Sequence, residues 1–140
     1  MSRTSDPVLP RFDPPADIEL GRPFWDAVER GELALPQCAM CGAWHWYPDD
    51  GGTNCPGGEL TWVPVAGTGS VYTFTRVHRS FLPGGRDDVP YVVGFVELDG
   101  VEGPRLVANV DDTPGLVIGA RVRVRFERVG GRAHPVFELA

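Results

Sequence analysis

Two cysteines three residues apart constrain this chain more than any other feature. Cys38-Ala39-Met40-Cys41-Gly42 is a C-x2-C knuckle. The spacing lets both sulfurs face one ion, and the glycine permits the tight turn that aims backbone N–H groups at sulfur. A second half, Cys55-Pro56-Gly57-Gly58, follows the aromatic run Trp44-His45-Trp46-Tyr47. A complete ribbon places a fourth cysteine at position 58, where this chain has Gly58. Structural zinc sites almost always use four protein ligands, so two readings are open. In one, another side chain joins Cys38, Cys41 and Cys55; His45 is chemically the best substitute, and Asp49 and Asp50 are weaker ones. In the other, the aromatic run alone holds the ribbon's shape and no metal binds. His45, His78 and His134 are the only histidines, and none pairs legibly with a nucleophile and an acid, so no catalytic residue is assigned.

After the knuckle the pattern is β to the end of the chain. Eighteen glycines and fourteen prolines in 140 residues punctuate many short elements, which favours strands and turns over long helices. Strands are predicted over residues 70–79, 91–98, 105–110, 121–128 and 135–139. They are separated by Gly67-Thr68-Gly69, a polar loop at 80–90, Asp99-Gly100, a connection holding Pro114-Gly115, and Gly130-Gly131. Their number and length suit a small closed five-stranded barrel of the OB type. Ahead of the knuckle, residues 1–22 read as a proline-rich extended arm. Residues 23–30 read as a short helix, with Pro23 in its first turn and Gly31 at its stop. Phe24, Trp25 and Val28 share one face of that helix. So short a helix is marginal alone, and the face needs something to dock on. The organisation is therefore mainly β: an arm and docking helix over 1–35, a ribbon-like knuckle over 36–60 and a barrel over 61–140.

The formal charge is −6, and all 13 cationic residues are arginine. An acidic balance weighs against non-specific nucleic-acid binding, although an acidic protein can carry a local basic stripe. A stand-alone OB-fold nucleic-acid-binding protein is thus the alternative function. No run approaches the roughly 20 apolar residues of a membrane span, and residues 1–20 lack the apolar core of a signal peptide. The expected compartment is cytoplasmic, where thiols stay reduced. Tyr72, Phe74, Arg76 and His78 fall on one face of the 70–79 strand. That face suits either a groove for a partly anionic ligand or core aromatics grading into a solvated rim. Arg121, Arg123 and Arg125 form a stripe that suits either phosphate contacts or an exposed strand face. The 80–90 loop, with Phe81 and Arg86, reads either as a recognition loop or as a cap folded back on the barrel. The Trp44–Tyr47 run reads either as packing between ribbon and barrel or as a base-stacking platform, and the absence of a basic groove favours packing.

The whole pattern resembles the zinc-ribbon/OB-fold proteins associated with acyl-CoA metabolism, long known as a domain of unknown function. The marks are Phe24-Trp25, Gly31-Glu32-Leu33, Gln37 through Gly42, Trp62-Val63-Pro64-Val65 and Gly67 through Thr75. Further on they are Pro90-Tyr91-Val92-Val93, Leu98-Asp99-Gly100, Ile118-Gly119 and Pro135-Val136-Phe137. The resemblance implies a rubredoxin-like zinc ribbon followed by an OB barrel. It also implies a non-catalytic partner of a thiolase-like or lipid-transfer-like acyl-CoA enzyme, with zinc as a structural ion and acyl-CoA as a ligand shared by the complex. Some members work with hotdog-fold hydratases, others with aldolases of steroid side-chain degradation. Gly58 departs from the family's fourth cysteine. Trp25, Arg76, His78, Phe81 and Arg86 are the residues expected to meet partner or ligand.

Overall fold

The computed structural model describes residues 19–48, 55–79, 89–129 and 131–140. The elements run α1 (Arg22–Glu29), β1 (Leu33–Cys38), β2 (Leu60–Val65), β3 (Thr68–Val77), β4 (Tyr91–Leu98), β5 (Leu106–Val110), β6 (Arg121–Val129) and β7 (Arg132–Leu139). β1 and β2 pair antiparallel, with Leu33 opposite Val65 and Cys38 opposite Leu60. The other five strands close a barrel in the order β3-β4-β5-β7-β6. All its pairings are antiparallel except β5 with β7, which run parallel at Asn109–Val136 and Val110–Phe137. A closed five-stranded mixed barrel behind a ribbon hairpin is the expected architecture.

Burial alternates along the barrel strands. In β4, Val92, Val96 and Leu98 are buried while Phe95 and Glu97 face outward. In β6, Val122 is fully buried between exposed Arg121 and Arg123. β1 follows another rule: Leu33, Ala34, Leu35 and Pro36 are buried in succession, so both of its faces are covered. One core cluster joins Phe24, Val28 and Leu35 to Val71, Val96, Leu106 and Phe137. Helix, hairpin and barrel therefore share a core. Phe24, Ala27 and Val28 of α1 are buried, and the helix lies against β1 and β7. Its far end is tied down by Glu29, which accepts from the Arg128 guanidinium at 2.7 and 2.9 Å and from the Ala133 N–H at 2.8 Å. The apolar face that a two-turn helix cannot leave in water is met by the chain's own strands.

One expected face does not exist as read. The β3–β4 register shifts between Val71 and Thr73, a β-bulge centred on Tyr72. A bulge inserts one residue, so the alternation changes phase there. Tyr72 is 45% exposed, and its ring lies 3.6 Å beneath the Arg105 guanidinium carbon. Phe74, beyond the bulge, packs on the core cluster. Tyr72 is thus separated from Phe74, Arg76 and His78.

The barrel seam near this bulge is closed by a charged staple. Asp99, in the turn after β4, accepts from Arg121 of β6 at 2.5 and 3.0 Å and from the Thr68 hydroxyl of β3 at 2.7 Å. The hydrogen bonds from Arg121 and then Thr68 hold its carboxyl down at about 2, against an ordinary 3.8. A carboxylate whose folded pKa is depressed contributes its stability above the ordinary value, and loses it as pH falls through the folded one. The contribution should be complete above pH 4 and fade towards pH 2. Carboxyl-carbon NMR should follow Asp99 titrating in that low range, and Arg121→Gln should return it towards the ordinary value. An Asp99 unmoved by Arg121→Gln would contradict the staple.

Candidate metal centre and the faces around it

The knuckle begins where β1 ends. Cys38 is buried, and its N–H donates to the Ala43 carbonyl at 2.8 Å. The Gly42 N–H returns to the Cys38 carbonyl at 2.9 Å, with Gly42 at φ +78. That closes the first loop in a backbone conformation glycine adopts without strain. The second loop closes similarly, Gly58 N–H donating to the Cys55 carbonyl at 2.8 Å. The two halves meet so that the sulfurs of Cys38, Cys41 and Cys55 all lie within 4.8 Å of one another. Burial, followed by the nearness of Cys38 and Cys41, pushes the Cys55 thiol pKa up. Three crowded sulfurs are poor thiolates without a cation, and a divalent ion inverts that preference by deprotonating its ligands. The donor set fits a soft-ligand zinc site of ribbon type with three protein sulfurs.

The fourth donor stays open. His45 lines an open groove together with Cys41 and Cys55, and its backbone N–H donates to the Pro36 carbonyl at 2.9 Å. It does not join the cluster of ligand atoms within 4.8 Å. Asp49 and Asp50 lie outside the described residues.

The remaining candidates are scattered. Arg76 makes a two-pronged pair with Asp112, both contacts at 2.8 Å, and holds that carboxyl below its usual range. His78 is exposed one turn of the pleat further on. Trp25 is half-buried, its ring edge-on to His134 at 6.0 Å and to Phe24 at 5.1 Å. Phe81 and Arg86 lie outside the described residues, as does nearly all of the arm. The arginine stripe exists but is neutralised locally. Arg121 meets Asp99, Arg123 meets Glu138 at 2.7 Å, and Arg125 meets Asp111 at 2.7 Å and Glu127 at 2.6 Å. A phosphate backbone would have to displace these carboxylates, which leaves the stripe as an exposed strand face. Buried Asn109 and His134 escaped the sequence reading. A polar residue inside the apolar run 106–110 was the available signal for the first.

Two family models match in succession. The ChsH2 rubredoxin-like zinc ribbon domain matches residues 25–64, and the ChsH2 C-terminal OB-fold domain matches residues 62–127. A solved structure titled "Ltp2-ChsH2(DUF35) aldolase" superposes with a TM-score of 0.75 at 30% identity, covering 90% of this chain and 98% of that one. The chain belongs to the ChsH2 family. A DUF35-family protein of unknown function from Sulfolobus solfataricus shares the fold, with a TM-score of 0.60 at 13% identity over 87% of this chain and 86% of that one. A curated relative, "Probable enoyl-CoA hydratase alpha subunit" from Thermomonospora curvata, is 38% identical over 91 residues, 62% of this chain. The chain spans only 26% of that relative's length. The ChsH2 assignment agrees with the structure at each joint: the ribbon match ends on β2, and the barrel match runs from β2 into β6. No helix among the described residues is long and apolar enough to cross a membrane.

Proposed function

We propose that this chain is a non-catalytic subunit that docks on an acyl-CoA enzyme of the aldolase or thiolase-like kind and helps shape its acyl-CoA site. The observation that carries this reading is the match, over nearly the full length of both chains, to ChsH2 within an aldolase complex. The hydratase-subunit name of the curated relative supports the CoA thioester class, and steroid side-chain thioesters are the substrates the resemblance favours. The site chemistry is consistent with it. The metal cluster found among the described residues is all sulfur, the donor type of ribbon-like structural zinc sites. In the same reading, Cys38, Cys41 and Cys55 hold one zinc ion, with His45 or a water molecule as fourth donor. Zinc would supply cross-linking of the two loops and no chemistry. His45→Ala distinguishes the donors: zinc affinity should fall at least about tenfold if the imidazole binds, and stay unchanged otherwise.

Docking is tested by co-purification with a thiolase-like acyl-CoA enzyme co-expressed from the same source. A complex that survives size-exclusion chromatography is expected. Trp25, half-buried with one side towards solvent, is the proposed anchor on α1. Aromatic anchors commonly contribute about 2 kcal/mol or more to an interface, so Trp25→Ala should weaken assembly at least about tenfold. Thermal unfolding of the isolated variant separates this from loss of its contacts with His134 and Phe24. Unchanged affinity would remove α1 from the interface.

A further inference from the structure

The three knuckle sulfurs differ in access. Cys38 is buried, Cys41 is exposed and Cys55 is half-buried. Two open grooves reach the cluster. One is lined by Cys41 and Cys55 together, with Trp44, His45 and Pro56. The other is lined by Cys41, Gly42 and Glu102. Cys38 lines neither. A small solute entering the first groove therefore meets Cys41 and Cys55 and not Cys38. The same two residues are close enough to react with each other. All three sulfurs lie within 4.8 Å of one another, and Cys55 shares side-chain hydrogen bonds with both of the others. A disulfide needs about 2 Å between sulfurs, so the two loops have only a short distance to close. Gly57 in the second loop is at φ +75 with nothing within 4 Å of its Cβ position, which leaves space for that movement. Cys38 is held instead in the β1–β2 ladder, opposite Leu60.

We propose that Cys41 and Cys55 are a site of reversible oxidation by peroxides, closing a disulfide that dismantles the metal cluster. Access decides the order, because thiol oxidation follows exposure. The exposed Cys41 thiol takes one oxygen from hydrogen peroxide, becomes a sulfenic acid and releases one water. The Cys55 thiol then attacks the Cys41 sulfur, the S–S bond forms, and the sulfenic hydroxyl leaves with the Cys55 proton as a second water. The two thiols are oxidised by two electrons, and the peroxide is reduced to two waters. Cys38 remains a thiol. One sulfur is too few to hold a structural ion. A ribbon with a cysteine at position 58 would keep a pair, so Gly58 makes the loss complete. The consequence for the metal rests on the zinc reading above, whereas the pairing of Cys41 with Cys55 does not.

The test uses the full chain, both as purified and after treatment with a chelator. Each sample is exposed to a small excess of hydrogen peroxide, blocked with iodoacetamide, digested and mapped by mass spectrometry. The intact mass should fall by two hydrogens before blocking. The map should join Cys41 to Cys55 and find the blocking group on Cys38. Dithiothreitol should restore all three thiols. In the sample as purified, zinc should appear on a colorimetric chelator in step with the disulfide. Cys55→Ser should halt the sequence at the sulfenic acid, which dimedone should trap on Cys41. A Cys38–Cys41 linkage, oxidation beyond sulfenic acid with no disulfide, dimedone on Cys38 in that variant, or zinc retained by the disulfide form would overturn the proposal. A chain purified without metal would fail the zinc reading alone, since the same Cys41–Cys55 linkage is expected there.

Discussion

Replacing Cys38 by serine should strip the protein of its metal and lower its stability by several kcal/mol, because structural zinc binding is coupled to folding. Cys38 is the most informative of the three cysteines. It is buried at the end of β1, opposite Leu60 of β2, so it joins the metal cluster to the hairpin ladder. The purified protein should contain close to one zinc per chain, and Cys38→Ser close to none. The loss should be felt first in the hairpin and the Trp44–Tyr47 run. The barrel closes its own ladder and should remain folded longer. Chelation of the unmodified protein should reproduce the effect. Metal-free protein of undiminished stability would establish that Gly58 marks a ribbon that has lost its ion.

A similarly large loss is expected from a single added methyl group at Gly69. The barrel begins with Gly67-Thr68-Gly69, and Gly69 sits opposite Leu98 on β4. A Cβ there would collide with the carbonyl oxygen of Glu97, and would stand 3.0 Å from the Leu98 Cα. Both are backbone atoms of a paired strand, so relief requires opening the ladder. Gly67 differs, because its added carbon would meet only the Val124 side chain. Overpacking typically costs about 1–3 kcal/mol, and a clash with fixed backbone belongs at or above the top of that range. Gly69→Ala should lower the melting temperature by roughly 10 °C and Gly67→Ala by less. Equal effects would mean that the β3–β4 approach is looser than described.

These examples show what the sequence could and could not reveal. β4, predicted over 91–98, is observed at Tyr91–Leu98, because a run rich in β-branched and aromatic residues, closed by an Asp-Gly turn, leaves little ambiguity. α1 is displaced by one residue from its prediction, since Pro23 and Gly31 mark both ends. β1 was not predicted. Leu33-Ala34-Leu35-Pro36 is continuously apolar, and a strand buried on both faces has no period of two to detect. The bulge at Tyr72 also leaves no compositional mark, so the face drawn through Tyr72, Phe74, Arg76 and His78 was carried past a change of phase. The three sulfurs were legible because their spacing is local. A pocket between α1, β5 and β7 was not, because it is assembled from segments as far apart as Phe24 and Pro135. The neutralisation of the arginine stripe was hidden for the same reason: Asp99, Asp111 and Glu138 read as turn or strand-end residues, and only barrel closure brings them to the arginines.

The reading of this chain as a subunit without chemistry of its own rests on its match to one component of an aldolase complex. The most direct measurement is CoA-thioester turnover by three samples: the chain alone, a thiolase-like enzyme that co-purifies with it, and the two reconstituted together. The account predicts no turnover by the chain, little by the enzyme alone, and at least a tenfold gain for the pair. Turnover by the chain alone, or an enzyme equally active without it, would contradict the account.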